Sequence, residues 1–367
     1  RETRLSRGLG DVYKRQLSPG AIIGILGGGQ LGRMSALAAA RLGFRCHIFT
    51  PEHNSPASHV AFKTTIANYE DQDALRSFVN GSDVITYEFE NIPIETALFL
   101  EQLKPVYPSP SILAISQHRG SEKKFATDHG IKVAPYELVT NYTELERAIT
   151  KLKTPSILKT CRFGYDGKGQ EKLSDLNSAK KAWEKLATQD AILEQFVEFE
   201  KEISVIIARN NNGALEAYPP VENRHENHIL AITMAPAKIE EATSKQALEI
   251  ARTLAEALDL IGILAIEMFV LPNGQVVMNE LAPRPHNSGH WSQDGAVTCQ
   301  FEQFIRAISG QCLGSTKLVK TTKMINLIGD AVNDWPKYLS TPNAKVHLYG
   351  KEETKPGRKM GHVNFID

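Results

Sequence analysis

A β-hairpin signal in the last third of the chain constrains the fold more than any other feature. Two apolar runs, 266–270 and 275–278, flank the turn sequence Leu-Pro-Asn-Gly. If the loop holds four residues, Glu267 lies opposite Glu280, and like charges opposed on paired strands repel. A three-residue loop would put the two side chains on opposite faces. The first register predicts a site for a divalent cation, to which Asn279 adds an amide oxygen; a hairpin with a solvated acidic edge is the alternative.

The composition is typical of a globular protein of two or three domains. The 367 residues include 42 Lys and Arg and 42 Asp and Glu, so the whole molecule offers no general attraction for nucleic acid or membrane. Four scattered cysteines without a C-x-x-C pair argue against a disulfide framework or a structural zinc. No transmembrane run or signal peptide is visible, and we expect a cytoplasmic protein.

A strand, a glycine-rich turn and a helix open the folded part of the chain, at 21–26, 27–32 and 34–42. Such a turn can bind a phosphate at the helix N-terminus. The next strand ends in Thr50 and Pro51 rather than in the acidic residue that an NAD site requires. Packing, or the phosphate of another ligand, therefore explains the glycines better than a nicotinamide cofactor.

Two charged residues lie at the ends of predicted strands. Glu88 comes after the strand 83–87, where ligands of doubly wound sheets bind, although a helix N-terminal acid is an equal alternative. Lys159 ends the apolar strand 156–159, an unfavourable position for a charge unless an anion meets it. We therefore expect both side chains to contact a ligand or an opposite charge.

The middle of the chain predicts a nucleotide site. The segment 161–170 contains three glycines and a lysine and predicts a mobile loop over phosphates, with a flexible hairpin tip as the alternative. We expect the strands 191–197 and 201–207 to lie side by side, with Glu194 and Glu202 facing a base and a ribose. Solvent exposure of that face is the alternative.

A basic cluster and a predicted helix complete the C-terminal third. The helix covers 296–309, and Lys351, Arg358 and Lys359 flank a Pro-Gly turn. Such cations can bind a phosphate monoester or bicarbonate, whereas a solvated basic hairpin is the alternative.

The motifs GILGGGQLGRM, TYEFENIP, FGYDGKGQ, EQFVEFEKEISV, GILAIEMFV, NELAPRPHNSGHW, MINLIG and KPGRKMGH occur in this order. From about residue 20 to the end, the chain resembles the N5-carboxyaminoimidazole ribonucleotide synthases, which are ATP-grasp ligases. The resemblance implies a mixed α/β and α+β fold. Its parts would be a Rossmann-like N-terminal domain over 17–112, a central ATP-grasp domain with a lid over 113–310, and a small, apparently truncated C-terminal domain over 311–367. Residues 1–16 match nothing in the family and are interpreted as a foreign or disordered extension.

The resemblance also implies a reaction. Bicarbonate attacks the γ-phosphate of ATP in the presence of Mg²⁺ or Mn²⁺, and the carboxyphosphate, or the CO₂ that it releases, carboxylates the amine of 5-aminoimidazole ribonucleotide. The implied enzyme acts in purine biosynthesis and is a homodimer. Another ATP-grasp carboxylate–amine ligase and a non-catalytic nucleotide-binding protein are the alternatives.

The residues that match the family motifs acquire roles by the same resemblance. ATP would contact Arg119, Lys159, Phe163, Gly164, Tyr165, Asp166, Gly167, Lys168, Gly169, Glu194, Gln195, Phe196, Val197, Glu202, His225, Asn279 and Glu280. Glu267 and Glu280 would hold the metal. The ribonucleotide would contact Glu88, Tyr165, Asp166, Asn287, Ser288, Lys351 and Arg358. Arg284, His286 and Lys351 would be catalytic, with His286 a candidate base because its ordinary pKa is near 6.5. Phe163 stands where the family often has glycine, which predicts a stiffer lid loop.

Overall fold

Three β-sheets organise the chain, and a computed structural model describes them over residues 16–164 and 168–367. The predictions for residues 1–15 and for Tyr165, Asp166 and Gly167 lie outside the described residues. The strands are β1 (Ile22–Leu26), β2 (Arg45–Thr50), β3 (Lys63–Ile66), β4 (Val84–Tyr87), β5 (Tyr136–Val139), β6 (Ser156–Thr160), β7 (Gln170–Leu173), β8 (Ala191–Gln195), β9 (Lys201–Arg209), β10 (Leu215–Ala217), β11 (Val221–Glu226), β12 (Ile229–Ala235), β13 (Gly262–Val270), β14 (Val276–Ala282), β15 (Thr322–Ile328), β16 (Ala344–Leu348) and β17 (Lys359–Ile366). The α-helices are α1 (Gln30–Arg41), α2 (Gln72–Asn80), α3 (Ile94–Glu101), α4 (Pro110–Ser116), α5 (Arg119–Asp128), α6 (Tyr142–Leu152), α7 (Asn177–Leu186), α8 (Glu241–Ala257), α9 (Ser292–Gly295), α10 (Gln300–Ile308) and α11 (Trp335–Leu339).

The N-terminal sheet is parallel, with the strand order β3-β2-β1-β4. Its first strand runs beneath a helix so closely that a Cβ added to Gly24 would lie 2.7 Å from the ring of Phe78. The turn between β1 and α1 lies at the carboxyl end of β1. This arrangement confirms the predicted Rossmann-like domain and its strand–turn–helix entry.

The central sheet is buried on both faces. Along β13, Ile263 and Ala265 pack toward α10, whereas Leu264, Ile266 and Met268 pack toward α8. This two-residue alternation explains why the strand is an almost continuous apolar run. The next residue on the face that packs toward α10 is Glu267. The apolar packing of that face therefore ends where the cavity described below begins.

The hairpin of β13 and β14 has the predicted pairing but not the predicted loop. Leu271 N–H donates to the carbonyl of Gln275 at 2.9 Å, so the loop holds three residues and the four-residue prediction is wrong. A register shift then leaves Asn279 as the extra residue of a β-bulge, and Glu267 pairs with Glu280. Because a bulge moves the register by one residue, it reverses the consequence of the shorter loop.

The third sheet, which we call the lid sheet, has the order β5-β8-β6-β7 and packs against α6 and α7. The prediction that the strands of Glu194 and Glu202 lie side by side is wrong. β8 pairs with β5 and β6 in the lid sheet, whereas β9 pairs with β10, β11 and β13 in the central sheet. The chain leaves one sheet at Gln195 and enters the other at Lys201, so a cleft separates the two acids.

The C-terminal strands extend the central sheet instead of forming a separate one. β12 pairs with β15, which pairs with β17 and through it with β16. The helix predicted over 296–309 begins later than predicted. Residues 296–298 are not helical, Cys299 is the N-cap, and α10 covers Gln300–Ile308. None of the helices described is long and apolar enough to cross a membrane.

A cluster of buried histidines lies where β16 and β17 meet α9. The ring of His362 stacks on His347 at 4.5 Å and contacts His290 at 4.8 Å, and its Nδ1 lies 2.9 Å from the Tyr349 hydroxyl. Burial lowers the pKa of His362 and of His290 well below the ordinary value. We therefore expect both rings to stay neutral in the folded state when unfolded histidine takes up a proton.

Acidification should destabilise the protein through this cluster. Below about pH 6.5 the unfolded chain binds protons that the folded rings do not, so the free energy of unfolding falls by about 1.4 kcal/mol per pH unit for each such histidine. In His362→Asn the amide oxygen can still accept from Tyr349 but does not titrate, so the loss between about pH 7 and pH 5.5 should shrink. Urea unfolding measures it, with the exposed His129→Asn as control. If the free energy of unfolding of His362→Asn fell as much over this pH range as that of the wild type, His362 would not be the buried neutral group responsible.

Candidate active site

A cavity of about 710 Å³ lies between the N-terminal, lid and central sheets. Many of the predicted site residues line it. These are Glu88, Arg119, Lys159, Phe163, Gly164, Lys168, Phe196, Glu202, His225, Glu267, Asn279, Glu280, Arg284, His286 and Asn287. Gly169, Glu194, Gln195, Val197, Ser288, Lys351 and Arg358 are not among the lining residues. Residues far apart in the sequence, from Glu88 to Asn287, therefore line the same cavity.

Two carboxylates form the central feature of the cavity wall. Burial, and then the charge of Glu280, raise the pKa of Glu267. Arg119 places Nη1 3.2 Å from Oε2 of Glu280, and His286 places Nε2 3.4 Å from Oε1 of Glu267. His225 and Lys359 also act on Glu267, yet its pKa stays raised to about 7, so these cations do not fully offset the negative charge of the two carboxylates. This donor set suits a hard divalent cation.

A third acid supports the bulged strand and was missed from the sequence. Glu122 on α5 is buried and accepts a short hydrogen bond from the N–H of Leu281. Burial, and then the charge of Glu280, raise the pKa of Glu122 to about 8. This acid therefore holds β14 in place next to the carboxylate pair.

The anion that meets Lys159 is part of the protein. Lys159 Nζ lies 2.9 Å from Oε2 of Glu194, and Lys123 Nζ lies 3.3 Å from Oε1. Burial favours the neutral acid, but the two lysines hold the pKa of Glu194 at about 2. Lys123 was missed, although it follows Arg119 by four residues and so shares its helix face. Two cations around one carboxylate leave positive charge for a bound anion.

An internal carboxylate also fills the glycine-rich turn. The N–H groups of Gly29 and Gly32 donate to the two oxygens of Glu88, at 2.6 Å for Gly32. A Cβ on Gly27 would lie 2.4 Å from Cγ of Glu88. Glu88 therefore occupies the helix N-terminus where the pyrophosphate of a dinucleotide would bind. Packing explains the glycines, and the nicotinamide interpretation loses its phosphate site.

Arg284 is held by an acid from the first domain. Its guanidinium makes a bidentate ion pair with Glu90, with Nη2 at 2.7 Å from Oε1, and its Nη1 donates to the Pro285 carbonyl at 3.2 Å. Burial favours the neutral acid, but Arg284 holds the pKa of Glu90 at about 2. Three of the five guanidinium N–H groups donate within the described part of the chain, which leaves two for a ligand there. Glu90 was missed because nothing local links it to Arg284.

His286, Asn287 and Ser288, all predicted to contact the reactants, differ in how far they are buried. Burial, and then the charge of Arg284, lower the pKa of His286 to about 3. Asn287 lines the cavity and exchanges two hydrogen bonds with Asn326. Ser288, predicted to touch the ribonucleotide, is fully buried behind His286 and hydrogen-bonds Ser204 at 2.7 Å. Its position argues against direct substrate contact.

The two sides of the cleft between β8 and β9 differ in character. Phe196 lies just past β8 and carries Lys172 over its ring at 4.3 Å. Across the cleft, His225 and Glu202 form a short ion pair. Burial disfavours the charged imidazole, but Glu202 raises the pKa of His225 overall. An aromatic face on one wall and polar groups on the other suit a base and a ribose.

The loop over the cleft contains a strained residue. Phe163 has φ of 59°, the left-handed region in which glycine is at ease, and its side chain is 73% exposed. This conformation gives a physical reason for a glycine at that position. The predicted stiffness of the loop remains a prediction.

The basic C-terminal turn brings Lys351 close enough to Glu88 for their charges to interact. Lys351 Nζ donates to the Lys359 carbonyl at 2.7 Å, and Arg358 Nη1 donates to the Glu353 carbonyl at 3.0 Å. Burial, and then the charge of Arg358, lower the pKa of Lys351 to about 8. Of the three cations that the sequence predicts to bind an anion here, Lys359 lines the cavity. Lys351 therefore brings positive charge close to Glu88, whereas Lys359 brings it to Glu267 and His286.

Family models match three successive parts of the chain. They describe a ribonucleotide synthetase preATP-grasp domain over residues 21–117, an ATP-grasp domain over 124–301, and a phosphoribosylaminoimidazole carboxylase C-terminal domain over 322–367. These matches follow the order of the three predicted domains.

Similar proteins align over nearly the whole chain. The N5-carboxyaminoimidazole ribonucleotide synthase of Bacillus subtilis is 43% identical over 97% of this chain and 94% of its own length. The bifunctional purine synthesis protein purC/E of Dictyostelium discoideum is 47% identical over 95% of this chain, which spans only 37% of that protein.

Solved structures share the fold. A crystal structure of an ADP complex of purK, an N5-carboxyaminoimidazole ribonucleotide synthetase, superposes with a TM-score of 0.94 at 44% identity, covering 96% of this chain and 94% of that chain. A synthase from Aspergillus clavatus in complex with ADP and 5-aminoimidazole ribonucleotide gives 0.90 at 28% identity, covering 95% and 94%.

Proposed function

The chain belongs to the N5-carboxyaminoimidazole ribonucleotide synthase family of ATP-grasp ligases, and on this premise we propose how its residues divide the reaction. The enzyme carboxylates 5-aminoimidazole ribonucleotide with ATP to give N5-carboxyaminoimidazole ribonucleotide, in purine biosynthesis. We propose bicarbonate as the source of the carboxyl group and carboxyphosphate as the intermediate. Its formation joins a bicarbonate oxygen to the γ-phosphorus and breaks the bond to the β-phosphate oxygen, which leaves with ADP.

One observation carries this proposal. A single cavity brings together a carboxylate pair, a buried cluster of cations and an arginine with two remaining donors. Phosphoryl transfer needs positioning and charge neutralisation more than covalent help from the protein. Lys159, Lys123 and Arg119 supply positive charge toward the phosphates of ATP, and Phe196 and His225 form the walls of the nucleoside site.

The carboxylate pair fits magnesium. Glu267 and Glu280 pair across the hairpin, the pKa of Glu267 is raised by burial and by its partner, and Asn279 lines the same wall. These residues would hold Mg²⁺, or Mn²⁺, through oxygen atoms, and the bound ion would neutralise charge on the β- and γ-phosphates. Arg119 steadies Glu280 from the side of α5.

Several residues proposed to bind bicarbonate and the ribonucleotide, which accepts the carboxyl group, lie in or after the Ala-Pro-Arg-Pro segment that follows Glu280 in the sequence. We propose that the free donors of Arg284 bind bicarbonate and that Asn287 contacts the ribonucleotide. Lys351 and Arg358 are proposed to meet its phosphate, supported by the interaction of Lys351 with the charges of Arg358 and Glu88. Tyr165 and Asp166, which lie outside the described residues, complete the proposed acceptor contacts by resemblance.

A phosphate-release assay tests this function against its alternatives. ATP, Mg²⁺, bicarbonate and 5-aminoimidazole ribonucleotide are each omitted in turn, and release should require all four. Equal release with formate and glycinamide ribonucleotide would favour another ATP-grasp carboxylate–amine ligase. Tight ADP binding with no release under any condition would favour a non-catalytic nucleotide-binding protein.

Lys159→Met should weaken ATP binding while leaving the fold stable. The charged hydrogen bond that it would make to a phosphate is lost, so the KM for ATP should rise by about ten- to a hundredfold. Glu194 keeps Lys123 as its partner, so the unfolding midpoint should change little. Lys185→Met on the exposed face of α7 is the control. An unchanged KM for ATP in Lys159→Met would contradict the assignment.

Family membership also motivates a homodimer and a cytoplasmic location as proposals. All four cysteines lie among the described residues and are free thiols, which suits a reducing compartment. Sedimentation velocity of the purified protein tests the dimer, and a single monomer peak at micromolar concentration would contradict it.

A further inference from the structure

A row of buried polar residues crosses the central sheet next to the carboxylate pair. Glu280 pairs with Glu267, and Glu267 pairs with Ser204 on the other neighbouring strand. Farther along the sheet, Asn223 pairs with Thr233. Ser204 and Thr233 are 0% exposed and Asn223 is 4% exposed. Buried polar groups in a sheet core are costly unless each has a partner, so their hydrogen bonds indicate what they support.

These residues form one directional hydrogen-bond chain that ends at His286. Thr233 donates its hydroxyl to Oδ1 of Asn223 at 2.9 Å, and Nδ2 of Asn223 donates to Oγ of Ser204 at 2.9 Å. Ser204 then donates to Oγ of Ser288 at 2.7 Å. Ser288 Oγ lies 2.8 Å from Nδ1 of His286. We call Thr233, Asn223, Ser204 and Ser288 the hydroxyl–amide chain.

The hydroxyl–amide chain determines which imidazole nitrogen of His286 carries the proton. Because Ser204 donates to the Ser288 hydroxyl, the hydroxyl hydrogen of Ser288 is free to point at Nδ1 of His286. The backbone N–H of Ser288 also lies 3.3 Å from Nδ1, and a backbone N–H can only donate. Two donors directed at Nδ1 leave it as an acceptor. The proton of the neutral ring must therefore reside on Nε2, which faces the cavity 3.4 Å from Glu267.

We propose that the hydroxyl–amide chain locks His286 in the Nε2–H tautomer, so that His286 acts as a hydrogen-bond donor to the carboxyl oxygens being transferred and not as the general base. This inference rests on the proposed function. A fixed N–H beside Arg284 stabilises negative charge that develops on those oxygens and needs no rearrangement during the reaction. The proton that the amine loses passes to the phosphate released in the same cavity. Ser204, Asn223, Thr233 and Ser288 are positioning residues because they act through His286.

Two matched substitutions at His286 separate a donor from a base. Glutamine places an amide N–H near the position of Nε2, whereas asparagine places its amide near Nδ1, and neither can serve as a base. A donor role predicts that His286→Gln keeps at least about a tenth of wild-type kcat/KM for bicarbonate, while His286→Asn loses about a hundredfold or more. Equal losses of that size in both variants would overturn the proposal.

The positioning role has its own test at a residue outside the cavity lining. Ser204→Ala interrupts the hydroxyl–amide chain. Turnover should fall by about tenfold, which is the effect of one buried hydrogen bond, and the KM for ATP should stay unchanged. Ser309→Ala is the matched control, because Ser309 is also buried and hydrogen-bonded but lies at the end of α10. Equal turnover in Ser204→Ala and Ser309→Ala would overturn the positioning role.

Nitrogen-15 NMR of histidine-labelled protein observes the tautomer without any turnover. His286→Gln identifies the His286 signals by their absence. The wild-type spectrum should show a protonated Nε2 and an unprotonated Nδ1, and Ser204→Ala should mix the two tautomers. A protonated Nδ1 in the wild type would overturn the proposal, whereas absent carboxylation activity with the expected tautomer would overturn only the proposed function.

Discussion

Replacing Glu280 with glutamine should lower ATP turnover by about a thousandfold, since loss of a metal-held phosphate contact removes several kcal/mol of transition-state stabilisation. The change preserves the size of the side chain and its hydrogen bond from Arg119. It also removes the like charge opposite Glu267. The folded state should therefore be as stable as the wild type, or slightly more stable, although turnover is lost.

Phosphate release and Mn²⁺ binding followed by electron paramagnetic resonance measure the two consequences of Glu280→Gln. Weakened Mn²⁺ binding should accompany the loss of turnover, because one of two proposed carboxylate ligands is gone. Glu241→Gln, at an exposed glutamate of α8 that pairs with Lys245, is the control. Wild-type Mn²⁺ binding in Glu280→Gln would show that the carboxylate pair is not the metal site.

Arg284→Met should damage both stability and activity. Removing one partner of this partly buried ion pair leaves Glu90 charged without compensation, which costs at most about 3–5 kcal/mol, the value for a fully buried pair. Bicarbonate-dependent turnover should fall by about a hundredfold or more, because the proposed bicarbonate donors are lost with the guanidinium. Urea unfolding and phosphate release measure the two effects separately.

The double variant Glu90→Gln/Arg284→Met distinguishes the structural role of the pair from the chemical one. With both charges removed, most of the lost stability should return, while turnover should stay low. Glu90→Gln alone should raise the KM for bicarbonate, since Arg284 then loses the bidentate contact that orients it. Recovery of turnover together with stability in the double variant would show that Arg284 is only structural.

The sequence by itself determined much of the local structure and many of the residues that line the cavity. The apolar run along β13 predicts a strand, and the hairpin signal predicts its pairing with β14. Glu267 does lie opposite Glu280, but a β-bulge produces this register, and the four-residue loop from which it was predicted is wrong. The ordered motifs predict the three domains whose family models match. The strand and domain predictions succeed because apolar runs and motif order can be read from short segments of sequence.

Only the tertiary structure decided which charges are partners. Glu88 fills the glycine-rich turn 56 residues away, Glu194 lies between Lys123 and Lys159, and Arg284 is held by Glu90 across 194 residues of chain. No local pattern encodes these pairs, because they depend on how the three sheets pack together. The same holds for the tautomer of His286, which depends on Ser204 in a neighbouring strand. In a low-dielectric interior each buried charge or polar group needs a partner, and only the packed chain shows which one it has.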